Sequence, residues 1–295
     1  MIKKTLQYKI TEKDQGKTVE QFLRSKGYSH RLVVKLRNSP TGLTIGGELA
    51  FTIHRLQAGE ILIANLEEEN SQNIVPVELP LNIVYEDEDI LVVNKDAGVP
   101  IHPSQGHFDH TLANAVAWYY QSKGQTLVYR AINRLDRDTT GLLVIAKHLL
   151  AGCILSDQML NRQIHRQYRA IVCGKTEKEG IIDAPIGRAE DSTVLRRIDF
   201  EHGETARTRY RLLSYDEEKD LSYISLKLDT GRTHQIRVHM KAIGHPLLGD
   251  FLYNPDYRFI GRQALHSYTV AFRHPITGEA MEFTAPMPED FSFFY

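Results

Sequence analysis

The stretch AINRLDRDTTGLLVIAK, Ala131 to Lys147, sets Asp136 and Asp138 beside Arg134 and Arg137 and then turns almost wholly apolar. A carboxylate on a loop anchored by the buried strand that follows could be presented at a cleft for chemistry, since rigid elements place reactive groups better than free loops do. The plainer alternative is a turn whose aspartates bond backbone amides and are neutralised by the arginines. The local pattern leaves both open. A second cluster, TGRTHQIRVHMKAIGHPLLGD (Thr230 to Asp250), predicts a helix with Thr233 as N-cap, Ile236, Met240 and Ile243 at helical spacing, and Gly244 with Pro246 as its stop. On it His234, Arg237 and Lys241 recur three and four apart as a cationic stripe, which suits RNA or merely solvent. His234 and His239 are five apart, a poor spacing for two ligands on one helix face, so no metal is expected. RQYRAIVCG places Tyr168 in a strand-like basic run, where packing is the commoner role, and VVNKDAGVPIHPSQGH puts Lys95 before a glycine and proline turn.

The elements that must carry these residues divide the chain in two. Residues 17–38 show two amphipathic helices broken at Gly27, with six basic residues against Glu20 alone, Arg24, Arg31 and Lys35 among the six. GLTIGGELAFTI and AGEILIANL follow as short strands. Residues 1–68 are therefore expected to form a small module, 69–78 an acidic, proline-bearing linker, and 79–295 a second domain. In the second domain ILVVNK, GLLVIAK, QYRAIVCG, RTRYRLLSY and LSYISLKLD predict strands, and TLANAVAWYYQS a helix. Many strands with few intervening helices point to an α+β domain with a largely antiparallel sheet.

Composition narrows the class. A chain of 295 residues that is 42% apolar and 25% charged is an ordinary globular protein. It has no apolar run near the roughly 18 residues needed to span a bilayer and no secretory signal pattern, so the cytoplasm is the expected location and a membrane role is not expected. Cys153 and Cys173 lack the close spacing of a zinc or redox pair, and buried free thiols are expected. A net charge of -1 argues against a polyanionic partner until its distribution is considered. Leu160 to Lys175 carries Arg162, Arg166, Arg169 and Lys175 with no acid, and Gly231 to Lys241 carries Arg232, Arg237 and Lys241 with none. Two such runs beside unusual polar motifs tilt the reading toward a polyanionic partner.

In chain order, VVNKDAGVPIHP, INRLDRDTTGLLVIAK, RQYRAIVCG, LDTGRTHQIRVHMKAIGHPLLGD and RQALHSY resemble the RluA/RluD-type pseudouridine synthases over about residues 80–290. The basic N-terminal region resembles, more loosely, the ribosomal-protein-S4-like RNA-binding module. The resemblance implies a pseudouridine synthase domain with a mixed, largely antiparallel sheet and a central cleft. It also implies isomerisation of uridine in structured RNA, large-subunit ribosomal RNA foremost and transfer RNA second, without a cofactor. By match to the motifs, Asp136 is the nucleophile, Arg237 its basic partner, Tyr168 the active-site tyrosine, and Arg134 the residue that fills the stack vacated by a flipped base. Arg166, Arg232, His234 and Lys241, with Arg24, Arg31 and Lys35 of the N-terminal helices, are expected to bind RNA, and a monomer is expected. Asn133, Asp96 and Arg166 stand where the family usually has histidine, proline and lysine. Alternatives of other classes are a non-catalytic RNA-binding or ribosome-assembly factor on this scaffold, and a glycoside hydrolase using Asp136 and Asp138. The close spacing of those two carboxylates disfavours the hydrolase.

Overall fold

The computed structural model describes residues 2–68, 74–104, 106 and 108–294. In the N-terminal part, β1 (Ile2–Lys9), β2 (Leu43–Ile45), β3 (Glu48–Leu49) and β4 (Ile61–Glu68) form an antiparallel sheet in the order β1-β4-β2-β3. Helices α1 (Val19–Ser25) and α2 (His30–Arg37) bury Phe22, Leu23, Leu32, Val33 and Leu36 against it. Thr18 and Gln21 close a capping box on α1, and the Ser29 side chain accepts from the Leu32 amide to start α2. The strand expected through Ile53 stops at Leu49, and Thr52 and Ile53 lie in a turn. Residues 69–73 of the expected linker lie outside the described residues. Beyond them Ile74 packs on the core of the second domain and the Asn114 side-chain amide donates to the Val75 carbonyl at 2.7 Å.

The remaining strands are β5 (Ile83–Glu86), β6 (Ile90–Lys95), β7 (Thr140–Ala146), β8 (His165–Cys173), β9 (Glu179–Asp183), β10 (Ile186–Arg188), β11 (Arg196–Ile198), β12 (Arg207–Asp216), β13 (Leu221–Leu228), β14 (Leu265–Arg273) and β15 (Ala280–Thr284). All but β10 and β11 join one nine-stranded sheet in the order β5-β6-β7-β14-β8-β13-β12-β9, with β15 on β14. Only the β7–β14 pair is parallel. The domain is α+β with a mixed, largely antiparallel sheet. Helices α3 (Leu112–Ser122) and α5 (Gln235–Ala242) pack on the face formed by Leu91, Val93, Leu143, Ile145 and Tyr168. Helix α4 (Leu149–Leu160) covers the other face, with Val92, Leu142 and Val144. Burial on both faces explains the unbroken apolar run of β7, whose seven residues are all buried. The two parts meet where Leu150 enters the N-terminal core and Glu68, 4% exposed, accepts from the Leu149 amide at 2.8 Å and pairs with Arg130. Lys4 reaches Asp89 at 2.7 Å. Cys153 and Cys173 are free but half-buried rather than buried, since each lies at the edge of its packed layer.

Candidate active site

The Asp136 loop is fixed from three sides by backbone contacts. Asn133, 5% exposed, donates to the Leu142 carbonyl at 3.1 Å and accepts from the Val144 amide at 2.9 Å, so its side chain acts as a short extra strand partner for β7. Lys95, 2% exposed, donates to the carbonyls of Asp96, Val99 and Arg137 at 2.7, 2.8 and 2.7 Å. Three acceptors match the three protons of an ammonium, while burial works against its charge and brings the pKa down to about 7 despite the nearby Asp138. Arg262 donates to the Asp138 carbonyl at 3.1 Å and is itself held by Asp290. Gly141, at φ 109°, admits β14 alongside: a Cβ there would stand 2.2 Å from the Ser267 carbonyl oxygen. Asp138 pairs with neighbouring Arg137 and takes no part in the cleft, in keeping with a turn residue.

The second half of the site comes from the start of α5. Gln235 satisfies both ends of its buried amide, accepting from Thr230 Oγ1 and the Arg232 amide and donating to the Arg207 carbonyl and Thr208 Oγ1. This knots the preceding loop. The cap is not Thr233 as expected: His234 holds that place in the left-handed region at φ 56°, and its side chain makes no capping bond. Its ring is turned inward, with Nδ1 3.0 Å from the Tyr253 hydroxyl and Nε2 3.9 Å from Asp136 Oδ2. Burial lowers the His234 pKa, with the Asp136 charge opposing. The expected cationic stripe is likewise corrected, because Arg237 is only 2% exposed and points into the domain. His239 is buried between Thr208 Oγ1 and the Ala184 carbonyl, so neither ring nitrogen is open to a metal.

Arg237 joins the two halves. Its Nη1 donates to Asp136 Oδ2 at 2.8 Å, while Nε and Nη2 grip both oxygens of Asp250 at 2.7 Å each. Burial opposes the Arg237 charge, but the bonds and fields of Asp250 and Asp136 outweigh it and hold its pKa above the ordinary value. Asp250 is fully buried. Gly249 before it, at φ 70°, has no room for a Cβ, which would lie 2.2 Å from the Arg262 carbonyl oxygen. Asp136 keeps partial exposure, and among the described residues its Oδ1 has no hydrogen-bond partner. The arrangement is a carboxylate with one oxygen clamped and one facing a cleft of about 530 Å³, its mouth included.

Tyr168 lines that cleft from β8, beside Leu228, Ile236 and Leu265, and its hydroxyl has no partner among the described residues. Arg134 is exposed at the rim, Arg166 half-buried at the wall, and Arg232 exposed and paired with Glu204. Lys241 is exposed with its ammonium 5.6 Å from the Tyr253 ring centre and does not line the cleft. Arg24, Arg31 and Lys35 are exposed on α1 and α2, apart from the cleft. Asp250, Gln235, Lys95 and Arg262 were not assigned roles by the sequence. All four lie within the motifs quoted above, but a glycine–aspartate step and a lysine at a strand end read locally as turn and surface.

A family model described as RNA pseudouridylate synthase matches residues 89–242. The chain is 41% identical over 277 residues to the uncharacterized RNA pseudouridine synthase YjbO of Bacillus subtilis (strain 168), covering 93% of this chain and 97% of that one. It is 40% identical over 250 residues to the ribosomal large subunit pseudouridine synthase D of Vibrio cholerae, covering 80% of this chain and 76% of the relative. Among solved structures, human RNA pseudouridylate synthase domain containing 1 superposes with a TM-score of 0.60 at 29% identity, over 71% of this chain and 84% of that one.

Proposed function

Because this chain belongs to the RNA pseudouridylate synthase family, we propose that it isomerises uridines of large-subunit ribosomal RNA with Asp136 as the nucleophile and with the target base flipped out of its stack. The observation that carries the reading is the half-clamped Asp136 carboxylate: Oδ2 is held by Arg237 at 2.8 Å, and Oδ1 is left to the cleft. In the reaction the C1′–N1 bond of uridine breaks, the uracil turns, C1′ bonds to C5, and the C5 proton is lost while N1 regains one. Asp136 attacks the ribose or shields its positive charge as the glycosidic bond breaks, and Arg237 keeps it ionised and aimed. Tyr168 stacks on the uracil, and its hydroxyl assists removal of the C5 proton. A base inside a helix is out of reach of this cleft, and extruding it costs a few kcal/mol. Arg134, exposed at the rim and without an ion pair among the described residues, fills the gap.

The reading of large-subunit ribosomal RNA as the target is supported by relatives named for the ribosomal large subunit. Residues 1–68 serve as an RNA-binding module, S4-like in role, through Arg24, Arg31 and Lys35, while Arg166, Arg232, His234 and Lys241 bind RNA around the cleft. The protein acts as a monomer in the cytoplasm. The test uses ribosomal RNA from cells lacking this protein. The wild type should convert specific uridines with many turnovers, and Asp136→Asn and Asp136→Ala should lose turnover by at least about 1,000-fold while keeping their melting temperature and RNA affinity. Turnover by Asp136→Ala would show that the nucleophile is misassigned. Modification of transfer RNA alone would reassign the target.

A further inference from the structure

The acid-free run from Leu160 to Lys175 does not act as one patch. Alternation along β8 sends Arg169 to one face, where it bonds Ser225 Oγ and lies over Tyr268, and sends Arg166 to the other face with Tyr168. Arg162 stands just beyond α4 with φ 57°, a conformation that favours glycine. The Arg162 amide bonds back to the Met159 carbonyl and the Gln163 amide to the Gln158 carbonyl, so the helix end itself holds this arginine in the strained position. What it lines there is a second groove of about 1,560 Å³, its open mouth included, walled by Arg162, His165, Arg207 and Arg209 with Asp229. This groove shares Arg134, Arg166, Leu228, Gly231 and Arg232 with the catalytic cleft, so the two are continuous.

The arginines of the groove fall into two sets. Arg207 lies 3.1 Å from Asp183, Arg209 lies 3.2 Å from Asp229, and Arg232 pairs with Glu204. Arg134, Arg162 and Arg166 have no ion pair or side-chain hydrogen bond among the described residues. Guanidinium groups left without a partner along one trough offer forked donors to an extended polyanion, Arg162 and Arg166 beyond the mouth where Arg134 stands.

We propose that this groove takes the phosphodiester backbone of the RNA strand flanking the target nucleotide, leading it from the cleft mouth past Arg134 and Arg166 to Arg162. The inference rests on the RNA-modifying reading above and adds to it the course of the strand. Arg162 is the informative position, because glycine there removes the charge and suits the backbone.

The probe is ribosomal RNA purified from cells that lack the protein. Arg162→Gly should raise Kd roughly threefold to tenfold at about 0.1 M salt, and lower the slope of log Kd against log salt by roughly 0.7 to 1. The loss should also appear in KM. Its melting temperature should equal or exceed that of the wild type, whereas Arg162→Ala, equally weak for RNA, should melt at or below it. Arg162→Lys should restore most of the binding. Equal Kd and salt slope for the wild type and Arg162→Gly would overturn the groove. So would competition by polyaspartate as strong as that by RNA, since the occupant would then be an acidic chain. Binding of RNA that depends on Arg162 without any pseudouridine formed would sink the catalytic reading and leave the groove standing.

Discussion

Arg237 at the floor of the cleft and Arg162 in the adjoining groove are the same residue type under opposite conditions. Arg237 is 2% exposed, with two carboxylates built against it. Arg162 is exposed, with none against it among the described residues. Where the protein supplies its own anion, arginine becomes a rigid part of the site and aims Asp136. Where it withholds one, arginine is left for an anion from outside. The formal charge of -1 conceals this division, because acids such as Asp250, Asp229 and Glu204 are spent on particular arginines instead of being spread evenly.

The comparison breaks most visibly at Asp250. Asp250→Asn removes the fully buried carboxylate that grips Arg237 through two bonds, and leaves the guanidinium only its single bond to the part-exposed Asp136. Loss of one partner of a buried pair costs roughly 3–5 kcal/mol, which urea denaturation should report as a large fall in midpoint, together with loss of turnover. Asn133→Ala tests how far the loop depends on its anchor instead of on the ion network. It strips a donor and an acceptor from the β7 backbone and should cost roughly 1–3 kcal/mol by the same measurement, with turnover reduced more than RNA affinity. The smallest effect sharpens the other side. Glu204→Ala frees Arg232 and should tighten RNA binding roughly twofold to threefold and steepen its salt dependence, with stability changed by under about 0.5 kcal/mol.

The fold was legible where pattern and burial agree. β7 and α3 were read correctly as a strand and a helix. α4 was not predicted, because LLAGCILSDQML lacks a clean polar stripe: Gln158 is buried and Leu160 exposed, the reverse of what their polarity suggests. β1 was also missed. IKKTLQYK carries lysines in place of clean alternation, and its pairing with β4 joins residues about sixty apart in the chain. In the site, resemblance brought Asp136, Tyr168 and Arg237 to notice together, whereas the local reading left each as turn, packing or solvent face. Asp250, Gln235 and Lys95 escaped because their work consists of bonds to backbone or to partners far along the chain, which leave no local spacing to detect.

By itself, the sequence determined the class of domain, the motifs that mark the family, and the placing of an aspartate before a buried strand, since each depends on residue order and short periodicity. Which oxygen of Asp136 is clamped, that Arg237 faces inward, and which arginines remain unpaired were decided only by the tertiary structure. Asp136 and Arg237 are 101 residues apart. Hydrogen bonding and ion pairing fall off over a few ångströms, so only the folded chain settles which charges neutralise one another and which are left for RNA.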